Sequence, residues 1–385
     1  MERDRLERIV REAGGEARAG GAWFCTDPGW TPARRAEAVA VMALPDPIDR
    51  AGLGWLGIPT GGTSGVTRFA RHDEGTLGTA VAGFCAYFGL GRVNAVDVLP
   101  SHHVSGLMAR VRCAASGGEH LPWSWKRLES GDRPALARHD DGWVISLVPT
   151  QLQRLLATAG GAEWLRRFRI VFLGGGPVWP ALVDAASQAR VPVSLTYGMT
   201  ETAAMVVASL PGSLPAGARN CGRALPHARV TVDESGVICI EAGSLFRGYW
   251  PEWREEKPLI TGDAGMVADD GSVVVTGRRD WVIITGGKKV QPERVEAALR
   301  VPLLGGDVVV VGVPDDEWGE KVVACVPASV NAAVEQEALA ELAPHERPKL
   351  WLTIDPWPAG PQGKVNRSQL RAAAASRIAG AARPG

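Results

Sequence analysis

The sequence predicts an α/β protein: a large N-terminal domain of mostly parallel sheets flanked by helices, carrying a small β-rich lobe, followed by a small α+β C-terminal domain. Three observations carry this expectation. In the first half, short apolar runs at 96–100, 143–148, 170–173 and 191–196 alternate with helix-like segments such as 151–157 and 179–189. That is the pattern of a parallel sheet covered on both faces. From Ala228 the punctuation changes: ARVTVDESGVICIEA and GMVADDGSVVVTG each turn on a Gly beside acidic or Ser residues, as hairpins do. After Asp280 a new βα pattern begins, with strands in DVVVVGVP and KVVACVPA.

Taken in order, MERDRLERIVREAGG is charged at nearly every other position, with Leu6, Ile9, Val10 and Ala13 at helical spacing. It reads as a surface helix and lacks the apolar core of a signal peptide. The large domain is expected over 1–279, with its β-rich lobe at about 222–279, and the small domain over 280–385. The tail AAAASRIAGAARPG, about 372–385, carries little apolar periodicity and is expected to fray.

Composition bounds the function. A chain of 385 residues, 45% hydrophobic and 22% charged, has the mix of a globular protein. Lys plus Arg equals Asp plus Glu at 42 each, so no net field favours nucleic acid or an anionic membrane surface. The six cysteines are scattered without a CxxC pair, which suggests a reduced, cytoplasmic chain. No run reaches the ~18 apolar residues of a transmembrane helix.

Gly52, Gly54 and Gly57 spell GxGxxG, but Pro47 lies upstream and IPTGG follows, so the strand–turn–helix context of a dinucleotide site is missing. A plain turn is the better reading. The Walker A pattern is absent, since neither GGK nor GK has the required upstream Gly.

The strongest local signal is Thr60-Gly61-Gly62-Thr63-Ser64-Gly65, followed by Val66, Thr67 and Arg68. Three glycines allow close approach of backbone N–H groups to a ligand, three hydroxyls add donors, and Arg68 closes the end with a cation. Those are the requirements for gripping a triphosphate, although such a segment alone also fits a Gly/Ser loop without a ligand. Thr196-Tyr197-Gly198-Met199-Thr200-Glu201-Thr202 follows an apolar run, where a strand's C-terminal end is expected and where open α/β sheets bind ligands. Tyr197 could stack on a base, Thr200 donate to a phosphate and Glu201 hold magnesium; a Thr-capped helix start with an acidic first turn is the plainer alternative. Gly174-Gly175-Gly176-Pro177 ends another strand on the same expected sheet edge.

Together these segments resemble the adenylate-forming enzymes, which include acyl-CoA synthetases, luciferases and peptide-synthetase adenylation domains. The resemblance runs from about 58 to 371 in the family's order: GGTSGVTR as phosphate loop, LPSHHVSGL as acyl-pocket motif, FLGGGP and TYGMTETA as adenine and phosphate/metal motifs, ITGD, GRRDWVIITGGKKVQPERVE and PAGPQGKVNR. It implies the family's fold, with a mobile C-terminal domain, and the substrates ATP, magnesium, coenzyme A and a small-molecule carboxylate. No nucleic acid partner or membrane span is implied, and a homodimer is left open.

The resemblance also assigns roles. Thr60 to Gly65 with Arg68, Gly174 to Gly176, and Tyr197, Gly198 and Met199 would bind ATP or AMP. Asp263 would accept from the ribose hydroxyls, with Arg278 beside it; Thr200, Glu201 as the magnesium residue, and Lys364 would serve adenylation. Asp280 would be the hinge, and Gly286 and Gly287 would leave room for pantetheine. His103 would line the acyl pocket, and Arg110 or Arg112 would neutralise a second carboxylate; all three fit solvated helix-face residues equally well.

The chain departs from the family's usual pattern where Val66-Thr67-Arg68 replaces a stretch that commonly has Pro and Lys. A planar guanidinium fork thus stands in for a point charge. The region ahead of the loop is also short. Within the superfamily, IPTGGTSG with RFARH, LPSHHVSGLM, and FLGGGPVWPAL to TYGMTETA look like the compact o-succinylbenzoate-CoA ligases of menaquinone and phylloquinone biosynthesis. Another aryl- or acyl-CoA ligase and an enzyme loading a carrier protein are the alternatives.

Overall fold

Alternate residues of the central strands enter opposite cores. In a computed structural model, which describes all residues except 1, 19, 47–51, 61–66, 137–141, 214–219, 301–306, 331–338, 340, 360–364 and 382–385, Ile145, Leu147, Val171 and Leu173 pack with Leu152, Leu155, Trp179, Leu182 and Val183. Their neighbours Val144, Ile170 and Phe172 face the other way, onto Phe84, Phe88, Ala109 and Cys113. Period-two alternation with apolar residues at both phases is what a sheet covered on both faces requires.

That sheet has seven strands in the order Arg223–Ala224, Ala204–Ala208, Val193–Met199, Ile170–Leu173, Trp143–Leu147, Asn94–Asp97, His120–Pro122. The five from Val193–Met199 to His120–Pro122 run parallel, and the other two are antiparallel additions. Helices Pro149–Ala157 and Pro180–Gln188 cover one face; Glu74–Phe88 and Val104–Ser116 cover the other.

A smaller sheet orders Glu16–Ala17, Trp23–Phe24, Leu56–Thr60 and Arg68–His72. The GxGxxG spelling is the turn into Leu56–Thr60, with Gly52 and Gly54 at φ +81° and +57°. The N-terminal helix Arg3–Glu12 buries Leu6, Ile9 and Val10 as its spacing predicts. Two hairpins make a four-stranded antiparallel sheet from Ala228–Val232, Val237–Ala242, Leu259–Val267 and Val273–Arg278.

Beyond the short 3₁₀ turn Arg279–Trp281, strands Ile283–Thr285, Lys288–Val290, Val309–Asp315, Gly319–Pro327 and Leu350–Ile354 form one sheet with helix Pro292–Arg300 against it. This helix also packs against the core beside the seven-stranded sheet, where the Arg300 guanidinium lies 4.4 Å from the centre of the Trp179 ring.

The expectation that the tail frays from about 372 is corrected. Arg367–Ala381 is a helix, with Leu370 and Ala374 buried against Val309, Val311, Val323 and Ile354. Alanines carry little hydrophobic signal, yet they are the best helix formers and let a helix lie close on a sheet. Among the described residues, no helix is long and apolar enough to cross a membrane.

Candidate active site

The C-terminal end of Val193–Met199 is where the motif residues gather, because the chain there must turn sharply. Thr202 pins the turn: its hydroxyl accepts from the Met199 amide at 2.9 Å and lies 2.5 Å from the Ala204 carbonyl. Ala203 and Ala204 are held at φ +53° and +78°, a strained region for residues with a Cβ. Gly198 cannot carry a side chain, since its Cβ would lie 2.0 Å from the Ala204 carbonyl oxygen. Gly174, in the loop of the adjoining strand, lies against Thr196, where a Cβ would fall 2.3 Å from the Thr196 hydroxyl. The Gly174–Gly176 loop and the TYGMTE turn are therefore side by side.

From this edge a chain of hydrogen bonds runs to Asp280, in the 3₁₀ turn Arg279–Trp281. The Tyr197 hydroxyl donates to Asp263 Oδ2 at 2.8 Å, Arg278 Nη1 donates to Asp263 Oδ1 at 3.3 Å, and Arg278 Nη2 donates to Asp280 Oδ2 at 2.8 Å. Strand pairing sets Asp263 opposite Arg278. Burial, then the adjacent Asp263 charge, push the Tyr197 phenol far above its ordinary range, so it stays a donor. Burial opposes charge on Arg278, but Asp263 and Asp280 outweigh it and hold the guanidinium above its usual value. Asp263, Arg278 and Asp280 thus present one ordered acid–base–acid row.

Glu201, in the 3₁₀ turn Thr200–Thr202, belongs to a second cluster. Its Oε1 accepts from the Tyr249 hydroxyl at 2.5 Å, and its carbonyl accepts from the Phe246 amide at 2.8 Å. Burial and then the Glu201 charge push Tyr249 above its ordinary range. The Arg68 guanidinium lies 4.4 Å from the centre of the Tyr249 ring. His72, fully buried, donates from Nε2 to the Thr200 carbonyl at 2.8 Å, and burial lowers its pKa to about 4, so it is neutral. The Thr200 hydroxyl has no partner among the described residues.

Gly61, Gly62, Thr63, Ser64, Gly65 and Lys364 lie outside the described residues. The two threonines that frame the loop, Thr60 and Thr67, have buried hydroxyls with no partner among the described residues. Orphaned donors at both stems fit a ligand that supplies acceptors. No group of three or more metal-ligating side chains occurs among the described residues. Glu201 Oε2 has no hydrogen-bond partner among the described residues.

Gly286 and Gly287 make the turn between Ile283–Thr285 and Lys288–Val290 at φ +54° and +74°, with Trp318 packed over the first and open space beside the second. His103 precedes helix Val104–Ser116, its ring tilted against that of His102 with centres 4.5 Å apart. The two arginines of that helix do not share surroundings. Arg110 lines an open cavity with Asp97, Ser101, Trp123 and Trp125. Arg112 is no solvated helix-face residue: it is 4% exposed, with its guanidinium 4.2 Å from the centre of the Phe84 ring. Burial lowers its pKa to about 10, and it has no ion pair among the described residues.

Sequence reasoning passes over Tyr249 and His72. A signal for the first exists: the chain has three tyrosines, and two of them end on the acids that the motifs single out.

The sequence model of the AMP-binding enzymes matches residues 56–250. The 2-succinylbenzoate–CoA ligase of Geobacillus kaustophilus is 28% identical over 337 residues, which cover 81% of this chain and 68% of that protein. The ligase of the same name from Listeria monocytogenes is 29% identical over 289 residues, 71% of this chain and 60% of the relative. The o-succinylbenzoate coenzyme A synthetase of Bacillus subtilis, solved in complex with ATP and magnesium, has the same fold, with a TM-score of 0.71 at 22% identity over 95% of this chain and 82% of that one.

Proposed function

The chain belongs to the AMP-binding enzyme family, and from that premise we propose that it is an AMP-forming carboxylate–CoA ligase of the cytoplasm, with o-succinylbenzoate as its acid and menaquinone or phylloquinone synthesis as its setting. The observation that carries the reading is the hydrogen-bonded row Tyr197–Asp263–Arg278–Asp280 beside Glu201, at the sheet edge that also holds the Gly174–Gly176 loop. The relatives named for the same reaction support the choice of acid.

In the first step the substrate carboxylate attacks the α-phosphorus of ATP and pyrophosphate leaves. No protein nucleophile is required; the residues position reactants and meet developing charge. Thr60, the 61–65 loop and Arg68 grip the phosphates, and the orphaned Thr60 and Thr67 hydroxyls find acceptors there. Asp263 takes the ribose hydroxyls, with Arg278 and Tyr197 fixing its two oxygens. Glu201 would hold the magnesium ion, whose charge offsets that of the phosphates. Thr200 donates to a phosphate oxygen, and Lys364 meets the carboxylate and α-phosphate.

In the second step the small domain turns about Asp280, withdrawing Lys364. The Gly286–Gly287 turn, open on one side, then admits pantetheine, and the CoA thiol displaces AMP. His103 borders the acid. Arg110 on its cavity and Arg112, buried without an ion pair, are the candidates for the carboxylate that does not react.

The test is an assay of purified protein with ATP, magnesium and CoA, offering o-succinylbenzoate beside benzoate, a medium-chain fatty acid and an amino acid. AMP and thioester with o-succinylbenzoate alone are expected. Thioester from another acid would discard the substrate and keep the chemistry; AMP formed without thioester would favour carrier-protein loading.

A further inference from the structure

Glu201 is held at two points by one short segment, at its backbone carbonyl and at one carboxylate oxygen. The Phe246 amide fixes its backbone carbonyl at 2.8 Å, and the Tyr249 hydroxyl takes Oε1 at 2.5 Å, while Oε2 has no partner among the described residues. Tyr249 is itself immobilised. Its backbone bridges to Ala70 on strand Arg68–His72, the Phe246 ring stands 4.8 Å away nearly edge-on, and the Arg68 guanidinium covers its face at 4.4 Å. A hard cation such as magnesium tolerates little deviation from octahedral geometry, so the carboxylate that meets it must offer one oxygen in a fixed direction. Hydrogen bonds to the other oxygen supply that direction.

We propose that Tyr249 is the positioning residue for the metal carboxylate Glu201, and that Arg68, stacked on the Tyr249 ring, couples the end of the phosphate loop to it. The proposal rests on the reading of Glu201 as the magnesium residue. It also gives a physical use to Arg68 where relatives commonly carry Lys: a planar guanidinium lies flat on a phenol ring, and an ammonium on a flexible stem does so less well.

The test is Mn²⁺ binding followed by electron paramagnetic resonance, with the non-reacting analogue α,β-methylene-ATP present, in the wild type, Tyr249→Phe, Arg68→Lys and Glu201→Gln. Tyr249→Phe keeps the ring and removes only the hydroxyl. It is expected to weaken Mn²⁺ binding by roughly 10- to 100-fold, the usual cost of losing a bond to a ligating group, with metal-free binding of the analogue unchanged. Arg68→Lys is expected to weaken it by about 2- to 5-fold, the scale of an exposed cation–π contact. Mn²⁺ affinity within twofold of wild type in Tyr249→Phe, with Glu201→Gln strongly impaired, overturns the positioning role and leaves the Glu201 reading standing. An unimpaired Glu201→Gln, or a wild type that takes up no Mn²⁺ with the analogue, removes both. Should Tyr249→Phe lose its thermal transition, Arg68→Lys carries the test, and its binding Mn²⁺ as wild type overturns the coupling.

Discussion

Asp73 and Glu293 are both carboxylic acids withdrawn from water, and their surroundings drive them in opposite directions. Asp73, with a fully buried side chain, accepts from the Thr76 amide at 3.0 Å, the Gly54 amide at 3.1 Å and Arg247 Nε at 2.8 Å. Burial raises its pKa, but the Arg247 bond and the two amides outweigh that and hold it below the ordinary carboxylate range. Glu293 stands in the first turn of helix Pro292–Arg300 and packs over Gly277, where a Cβ would lie 2.6 Å from Oε2. Neither of its oxygens has a hydrogen-bond partner among the described residues. Burial lifts it to about 7, with Arg367 offsetting part of the rise and Glu296 adding to it. Burial alone does not set the charge of an acid; the donors aimed at it do.

The contrast can be broken at its strongest point by Asp73→Ala. The change leaves the partly buried Arg247 without its acid, removes the cap of helix Glu74–Phe88, and frees the loop at Gly54. A loss of about 3–5 kcal/mol is expected, the scale of breaking a buried pair from one side, read from urea unfolding of the full chain. A loss under ~1 kcal/mol would show that the cluster is not a stabilising latch.

Glu293→Gln is the next largest, and its effect depends on pH. Because the folded pKa lies above the ordinary glutamate value of 4.5, the folded chain binds more protons between 4.5 and about 7. Stability therefore falls as pH rises through that window, by roughly 3 kcal/mol in all. Asp73 has the opposite sign: its lowered pKa contributes stability that disappears as the pH falls through the folded value. Wild type and Glu293→Gln should unfold alike at about pH 4, below both values, and the variant should be the more stable at about pH 8, as thermal melts of the full chain would reveal. Parallel melting curves across the range would exclude Glu293 as the source.

The smallest effect sharpens the account of Asp73. Thr76 closes the capping box, its hydroxyl accepting from the Asp73 amide at 3.1 Å, so Thr76→Ala should cost about 1 kcal/mol. A cost equal to that of Asp73→Ala would mean that the cap, rather than Arg247, dominates.

Legibility followed the same division between local and distant causes. Strand and helix alternation is a property of neighbouring residues, so the parallel sheet at 94–199 and the two hairpins were readable from pattern alone. Tyr197, Asp263, Arg278 and Asp280 each stand out within a short motif, and the fold joins them by hydrogen bonds that no motif contains. Tyr249 was missed because its relation to Glu201 crosses 48 residues and its relation to Arg68 joins segments still farther apart along the chain. The terminal helix was missed for the opposite reason, since its alanines are locally helical but show no apolar stripe until a sheet is placed against them.

What the sequence determined by itself was the α/β class and the motif order of an AMP-binding enzyme, because both are written in residues close together along the chain. Only the tertiary structure decided which acids are paired, which are left to hold a proton, and which oxygen of Glu201 remains open. Those outcomes depend on desolvation and on donors brought from up to 174 residues away, as Arg247 is to Asp73.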